Sequence, residues 1–124
     1  MTAALSVLGR ALGVVVALSF AVQAEAHAHL QSAVPSVDAA AASFPAELKL
    51  RFSEGLELHF SGATLTGPGA GSVPVGNARL GTGDSELIVP ILGALGPGRY
   101  AVNWHALSHD GHSTRGSYAF TVLP

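Results

Sequence analysis

The sequence predicts an all-β domain, built as a β-sandwich or a β-barrel. Many of its apolar residues lie in short segments that alternate with polar residues, as in half-buried strands. Clusters of Gly and Pro separate these segments and are typical of tight turns. The 124 residues suit a single domain, and no repeat or linker indicates a second one.

The strands can be assigned in order along the chain. The clearest is Glu47–Phe52, where Leu48 and Leu50 alternate with charged residues and Phe52 continues the apolar face. Further strands are predicted at 29–34, 56–60, 63–66, 73–75, 86–89, 99–107 and 117–122. Turns are predicted at 67–69, 81–84 and 96–98, and the alanine run 39–42 is compatible with one helical turn. We expect Trp104 in the core and His105 on the opposite face of its strand.

Residues 1–26 have the pattern of a secretory signal peptide. Arg10 precedes the uncharged apolar run 11–22, which is shorter than the roughly 20 residues that span a bilayer. Small residues at Ala24 and Ala26 form the A-x-A pattern of a cleavage site. We therefore predict cleavage before His27 and an exported, soluble domain of residues 27–124. The alternative is a retained anchor helix.

Composition excludes several classes of function. The chain has no Cys, which rules out disulfides, thiolate catalysis and thiolate metal ligands. Six basic residues against eight acidic ones give a net charge of −2, so no basic surface for nucleic acid is expected.

Histidine is the residue type that points to function. All six histidines follow the predicted signal peptide, and they include His27 and His29 in one group and His109 and His112 in another. Cleavage would give His27 a free α-amine, so its amine and imidazole could chelate one metal ion. Asp110 and His112 flank a glycine that allows a tight turn, which can aim both side chains at one point. Three nitrogens and one oxygen suit Cu(II), although Zn(II) accepts similar donors in a tetrahedral arrangement.

Several motifs together make the chain similar to a known family. They are His27-Ala28-His29-Leu30 with Ser32 and Pro35, Leu50-Arg51-Phe52-Ser53, Gly98-Arg99-Tyr100-Ala101-Val102-Asn103-Trp104, Ser108-His109-Asp110-Gly111-His112, and Gly116 with Phe120-Thr121-Val122. In register over the predicted mature chain, they resemble the CopC family of exported bacterial copper-binding proteins.

The resemblance implies a Greek-key β-sandwich or barrel of cupredoxin-like or immunoglobulin-like outline, located in the periplasm. It implies one high-affinity Cu(II) site formed by His27, Asp110 and His112. It also implies a role in copper homeostasis or resistance, with an inner-membrane copper transporter or another periplasmic copper protein as partner. The best-known members carry a second, Met-rich Cu(I) site. Here the sole Met is Met1, so the resemblance is carried over for Cu(II) only.

Alternative interpretations concern both the ligands and the function. His29 could replace Asp110 and His112 in a rival site made of the amine, two deprotonated backbone nitrogens and its own imidazole. His59, His105 and His109 are expected to be surface residues or neighbours of the site rather than ligands. A histidine-brace copper monooxygenase is the alternative function, but we expect a binding protein and not an enzyme. A third possibility is a sandwich used only for protein contact.

Overall fold

A computed structural model describes residues 27–124, which form two β-sheets packed face to face. Nine strands are found in this part of the chain: β1 Leu30–Val34, β2 Ala40–Ala41, β3 Glu47–Phe52, β4 Gly62–Thr66, β5 Ser72–Val73, β6 Arg79–Leu80, β7 Glu86–Pro90, β8 Gly98–Leu107 and β9 Ser113–Val122. One sheet has the order β1-β3-β7-β6, and the other has the order β2-β9-β8-β4-β5. The predicted all-β sandwich is confirmed.

The chain crosses repeatedly between the sheets, and this brings distant segments to one end of the sandwich. Strands β8 and β9 form a long antiparallel hairpin in which Leu107 pairs with Ser113 at the turn. In the other sheet β1 pairs with β3, so Leu30 at the start of β1 lies opposite Phe52 at the end of β3. The hairpin turn and the beginning of the described chain share this end of the molecule, since the ring of His27 contacts the ring of His112.

Alternation along the strands supplies the core. In β3 the apolar residues Leu48, Leu50 and Phe52 are all buried between the sheets, while Lys49 and Arg51 face solvent. The partners of this face include Leu87, Val89, Val102, Phe120 and Val122. Because alternate apolar residues are buried on both sheets, the strands could be recognised in the sequence from their alternation of apolar and polar residues.

Trp104 lies inside but is only partly buried. The rings of Trp104 and Phe52 lie edge to face, with their centroids 5.2 Å apart. The indole also packs against Gly116, the residue opposite Trp104 on β9. His105 is exposed, on the face of β8 opposite Trp104, as predicted.

Two local predictions were wrong, and one short strand was missed. Residues 56–60 do not form a strand; Leu58–Phe60 is a 3-10 turn, and only Leu56 makes an isolated bridge, to Ser108. The alanine run holds β2, a two-residue strand parallel to β9, rather than a helical turn. Strand β6 was missed because two residues are too short to show a period.

The predicted signal peptide lies outside the described residues. Within 27–124 there is no helix long and apolar enough to cross a membrane.

Candidate metal site

The segment that carries His27 is fixed to both sheets. Ala28 is fully buried, and its carbonyl accepts a 2.8 Å hydrogen bond from the hydroxyl of Thr114 on β9. On the other side, the backbone N–H of His29 donates to Ser53 Oγ at 2.8 Å, and the N–H of Ser53 donates to the His29 carbonyl at 2.9 Å. These bonds hold the first described residues across the open end of the sandwich.

The turn between β8 and β9 carries the other two predicted ligands. Gly111 has a φ of 88°, a conformation that glycine adopts without strain. The N–H of Gly111 donates to the carbonyl of Ser108 at 2.9 Å, and the N–H of Ser108 donates to the carbonyl of His112 at 3.0 Å. A closed turn of this kind places Asp110 and His112 on the same side.

Ser108 also sets the state of the Asp110 carboxylate. The Ser108 side chain is buried, and its hydroxyl donates to Asp110 Oδ1. This hydrogen bond is the main cause that lowers the pKa of Asp110 below its ordinary value; bonds from His112 act in the same direction, and partial desolvation opposes them. The carboxylate is therefore ionised at neutral pH and can serve as an anionic ligand.

The three predicted ligands are neighbours in pairs. The rings of His27 and His112 meet edge to face with their centroids 4.6 Å apart, and His112 Nδ1 lies 3.1 Å from Asp110 Oδ2. Among residues 27–124, however, no group of three or more His, Asp or Glu side chains is arranged as a ready-made metal site. The carboxylate faces the imidazole of His112 instead of an open point shared with His27.

His29 lies near this group but at its margin. Its ring centroid is 6.5 Å from that of His27, again edge to face. The rival site would need the backbone nitrogen of His29 as a deprotonated ligand, yet that N–H is bonded to Ser53. Forming the rival site would break this bond and pull Ala28 out of its buried position.

The imidazole of His109 is held by two carboxylates that are not among the predicted ligands. Its Nδ1 is 2.8 Å from Glu57 Oε1, and its Nε2 is 2.7 Å from Asp84 Oδ2. The hydrogen bonds to Glu57 and then to Asp84 raise the pKa of His109, although the ring is exposed. With both ring nitrogens facing carboxylates, His109 has no lone pair for a metal ion in this arrangement.

The remaining two histidines lie outside the hairpin turn. His59 is exposed on the 3-10 turn and His105 is exposed on β8. Sequence analysis did not predict that Ser53 and Thr114 fix the N-terminal segment, because each acts through a partner far away in the chain.

Fold and site together define a small β-sandwich with imidazole and carboxylate groups collected at one end. Residues 30–123 match the family model for the CopC domain. The chain therefore belongs to the CopC family.

Similar proteins are known as sequences and as structures. Protein YobA of Escherichia coli strain K12 is 44% identical over 98 residues, which cover 78% of this chain and 79% of that protein. Copper resistance protein C of Escherichia coli is 38% identical over 130 residues, covering 95% of this chain and 99% of that protein. The crystal structure of PcoC, a methionine-rich copper resistance protein from Escherichia coli, superimposes with a TM-score of 0.72 at 37% identity, covering 78% of this chain and 99% of PcoC.

Proposed function

We propose that the processed chain is a periplasmic Cu(II)-binding protein that carries, buffers or delivers copper in copper resistance or homeostasis. The observation that carries this proposal is the contact between the rings of His27 and His112, 4.6 Å apart, beside the ionised Asp110. The names of the CopC-family relatives support copper as the cargo.

The proposed ligands are the α-amine and imidazole of His27, the carboxylate of Asp110 and the imidazole of His112. These nitrogen and oxygen donors suit Cu(II), which accepts a tetragonal arrangement. Release of His112 Nδ1 from Asp110 would free the carboxylate for the ion, a small change within one turn. Because residues 27–124 contain neither Met nor Cys, we expect weak binding of Cu(I).

The proposed role is binding and transfer of copper rather than catalysis. Asp110 would occupy a coordination position that an oxygen-activating copper enzyme keeps open. The partner that supplies or receives the ion would be an inner-membrane copper transporter or another periplasmic copper protein.

The test combines identification of the N-terminus with copper titration. Mass spectrometry of the exported protein, with and without Cu(II), should show a chain that begins at His27 and binds one ion. In competition titrations, His112→Ala should lose more affinity than the roughly 10- to 100-fold typical of residues that only support a ligand. Asp110→Ala should also weaken binding and alter the Cu(II) EPR spectrum.

His105→Ala is the matched control, because His105 is an exposed histidine on the same hairpin. It should bind copper like the parent chain. Equal losses from His112→Ala and His105→Ala, or no binding by the processed parent, would refute the proposed site.

A further inference from the structure

One side chain next to the proposed ligands ties their turn to the rest of the molecule. The backbone N–H of His109 donates to the carbonyl of Gly55 at 3.1 Å, and its imidazole lies between the carboxylates of Glu57 and Asp84. We refer to Glu57, His109 and Asp84 as the brace, a term that here does not mean the histidine brace of copper monooxygenases. It joins three loops that are more than 20 residues apart in the chain.

The hydrogen-bonding chemistry of the brace fixes the orientation of the ring. A carboxylate oxygen accepts hydrogen bonds, so both ring nitrogens of His109 serve as hydrogen-bond donors when the imidazole carries both of its protons. Both contacts are short, at 2.8 Å and 2.7 Å, and they lie at opposite sides of the imidazole. A ring held from two sides cannot rotate without losing one partner.

The packing around Gly55 restricts the brace further. A Cβ atom on Gly55 would lie 2.5 Å from His109 Cδ2 and 2.6 Å from Asp84 Oδ2. The ring and the carboxylate therefore pack directly against the backbone of this glycine. Neighbouring backbone bonds, from Leu56 to Asp84 and from Glu57 to Leu107, hold the same loops together at 2.8 Å each.

We propose that His109 is a positioning residue, which holds the hairpin turn so that Asp110 and His112 face His27. This inference rests on the proposed copper site. His109 immediately precedes Asp110, so rotation of its backbone would change the direction of both following side chains. If the brace were only a surface ion pair, its removal would cost little and leave copper binding unchanged.

Two variants perturb the brace in different ways. His109→Ala removes the ring, whereas Gly55→Ala keeps every charged group and forces the ring and Asp84 away from the backbone. The matched controls are His59→Ala, an exposed histidine on the 3-10 turn, and Gly71→Ala, where an added Cβ meets nothing within 4 Å. Glu57→Gln offers a third, isosteric perturbation if one of the first two fails to fold.

Each variant, processed to begin at His27, is measured by Cu(II) competition titration, by EPR of the copper-loaded chain and by thermal unfolding. Both brace variants should weaken Cu(II) binding about tenfold and shift the EPR spectrum. Tenfold is the lower end of the effect of residues that hydrogen-bond to metal ligands without binding the metal. In the metal-free chain, NMR signals of the His112 imidazole should move in the same variants. Both controls should match the parent in every measurement.

The outcomes separate this inference from the proposed function. A parent chain that binds no Cu(II) overturns the proposed function and the brace with it. A parent that binds Cu(II), with brace variants of unchanged affinity and EPR spectrum, overturns the brace alone. Lower thermal stability with unchanged copper binding overturns it too, because His109 would then be only structural.

Discussion

Replacement of Thr114 by Val should weaken copper binding without touching any proposed ligand. Valine keeps the branched shape of threonine but removes the hydroxyl that donates to the carbonyl of Ala28. Since Ala28 is fully buried, its carbonyl oxygen would be left without this partner. The segment carrying His27 would then leave its place beside His112 more easily.

The magnitude follows from the cost of an unpaired buried acceptor. That cost is about 1–3 kcal/mol. The loss in Cu(II) affinity reaches this full value only when the segment carrying His27 is mostly undocked in the metal-free variant. A loss of about 1.4 kcal/mol corresponds to a factor of ten in affinity. We therefore expect the affinity of Thr114→Val to fall by about tenfold.

Competition titration with a Cu(II) chelator measures this loss, and amide hydrogen exchange at His29 and Leu30 reports the undocking directly. Thr64→Val is the matched control, because Thr64 is an exposed threonine on β4. If Thr114→Val bound Cu(II) as tightly as the parent, with unchanged exchange, the hydroxyl would not be what holds the N-terminal segment in place.

Three further predictions concern the N-terminus, the carboxylate and the core. One residue added before His27 should severely reduce Cu(II) affinity in titrations, because the α-amine and the His27 imidazole could no longer close one chelate ring. His29→Ala should change the Cu(II) affinity little. A larger loss from His29→Ala than from the added residue would favour the rival site. Ser108→Ala should raise the pKa of Asp110 in an NMR titration. Because the pKa of Asp110 is lowered in the folded chain, the ionised carboxylate stabilises the fold at pH values above its ordinary pKa of 3.8, and this stabilisation is lost as the pH falls through the lowered pKa. An unchanged pKa of Asp110 in Ser108→Ala would contradict the role given to the Ser108 hydroxyl. Gly116→Ala should lower the free energy of unfolding, measured with urea, by about 1–3 kcal/mol, because the added Cβ would lie 2.5 Å from the indole of Trp104. An unchanged urea midpoint would show that the indole can shift freely.

The sequence alone was sufficient for the class of fold and the best-patterned strands. Glu47–Phe52 was predicted with its exact bounds, because strict alternation follows from burial on one face. The two strands β8 and β9 were also predicted, although their pairing was not, and β9 begins four residues earlier than predicted. The exposed part of β9 has no apolar alternation to mark its start. Membership of the CopC family, suggested by the motifs, is likewise confirmed.

Short-range patterns could not reveal contacts between distant residues. His27, Asp110 and His112 could be proposed from residue type and spacing, but their relative placement depends on which strands share an end of the sandwich. The two-residue strand β2 exists only because β9 offers a parallel partner, and propensity gives no sign of it. The brace illustrates the same limit. His109, Glu57 and Asp84 read as three unrelated polar residues in the sequence, and only the tertiary structure places both carboxylates against one imidazole, because the loops that carry them are joined by backbone hydrogen bonds.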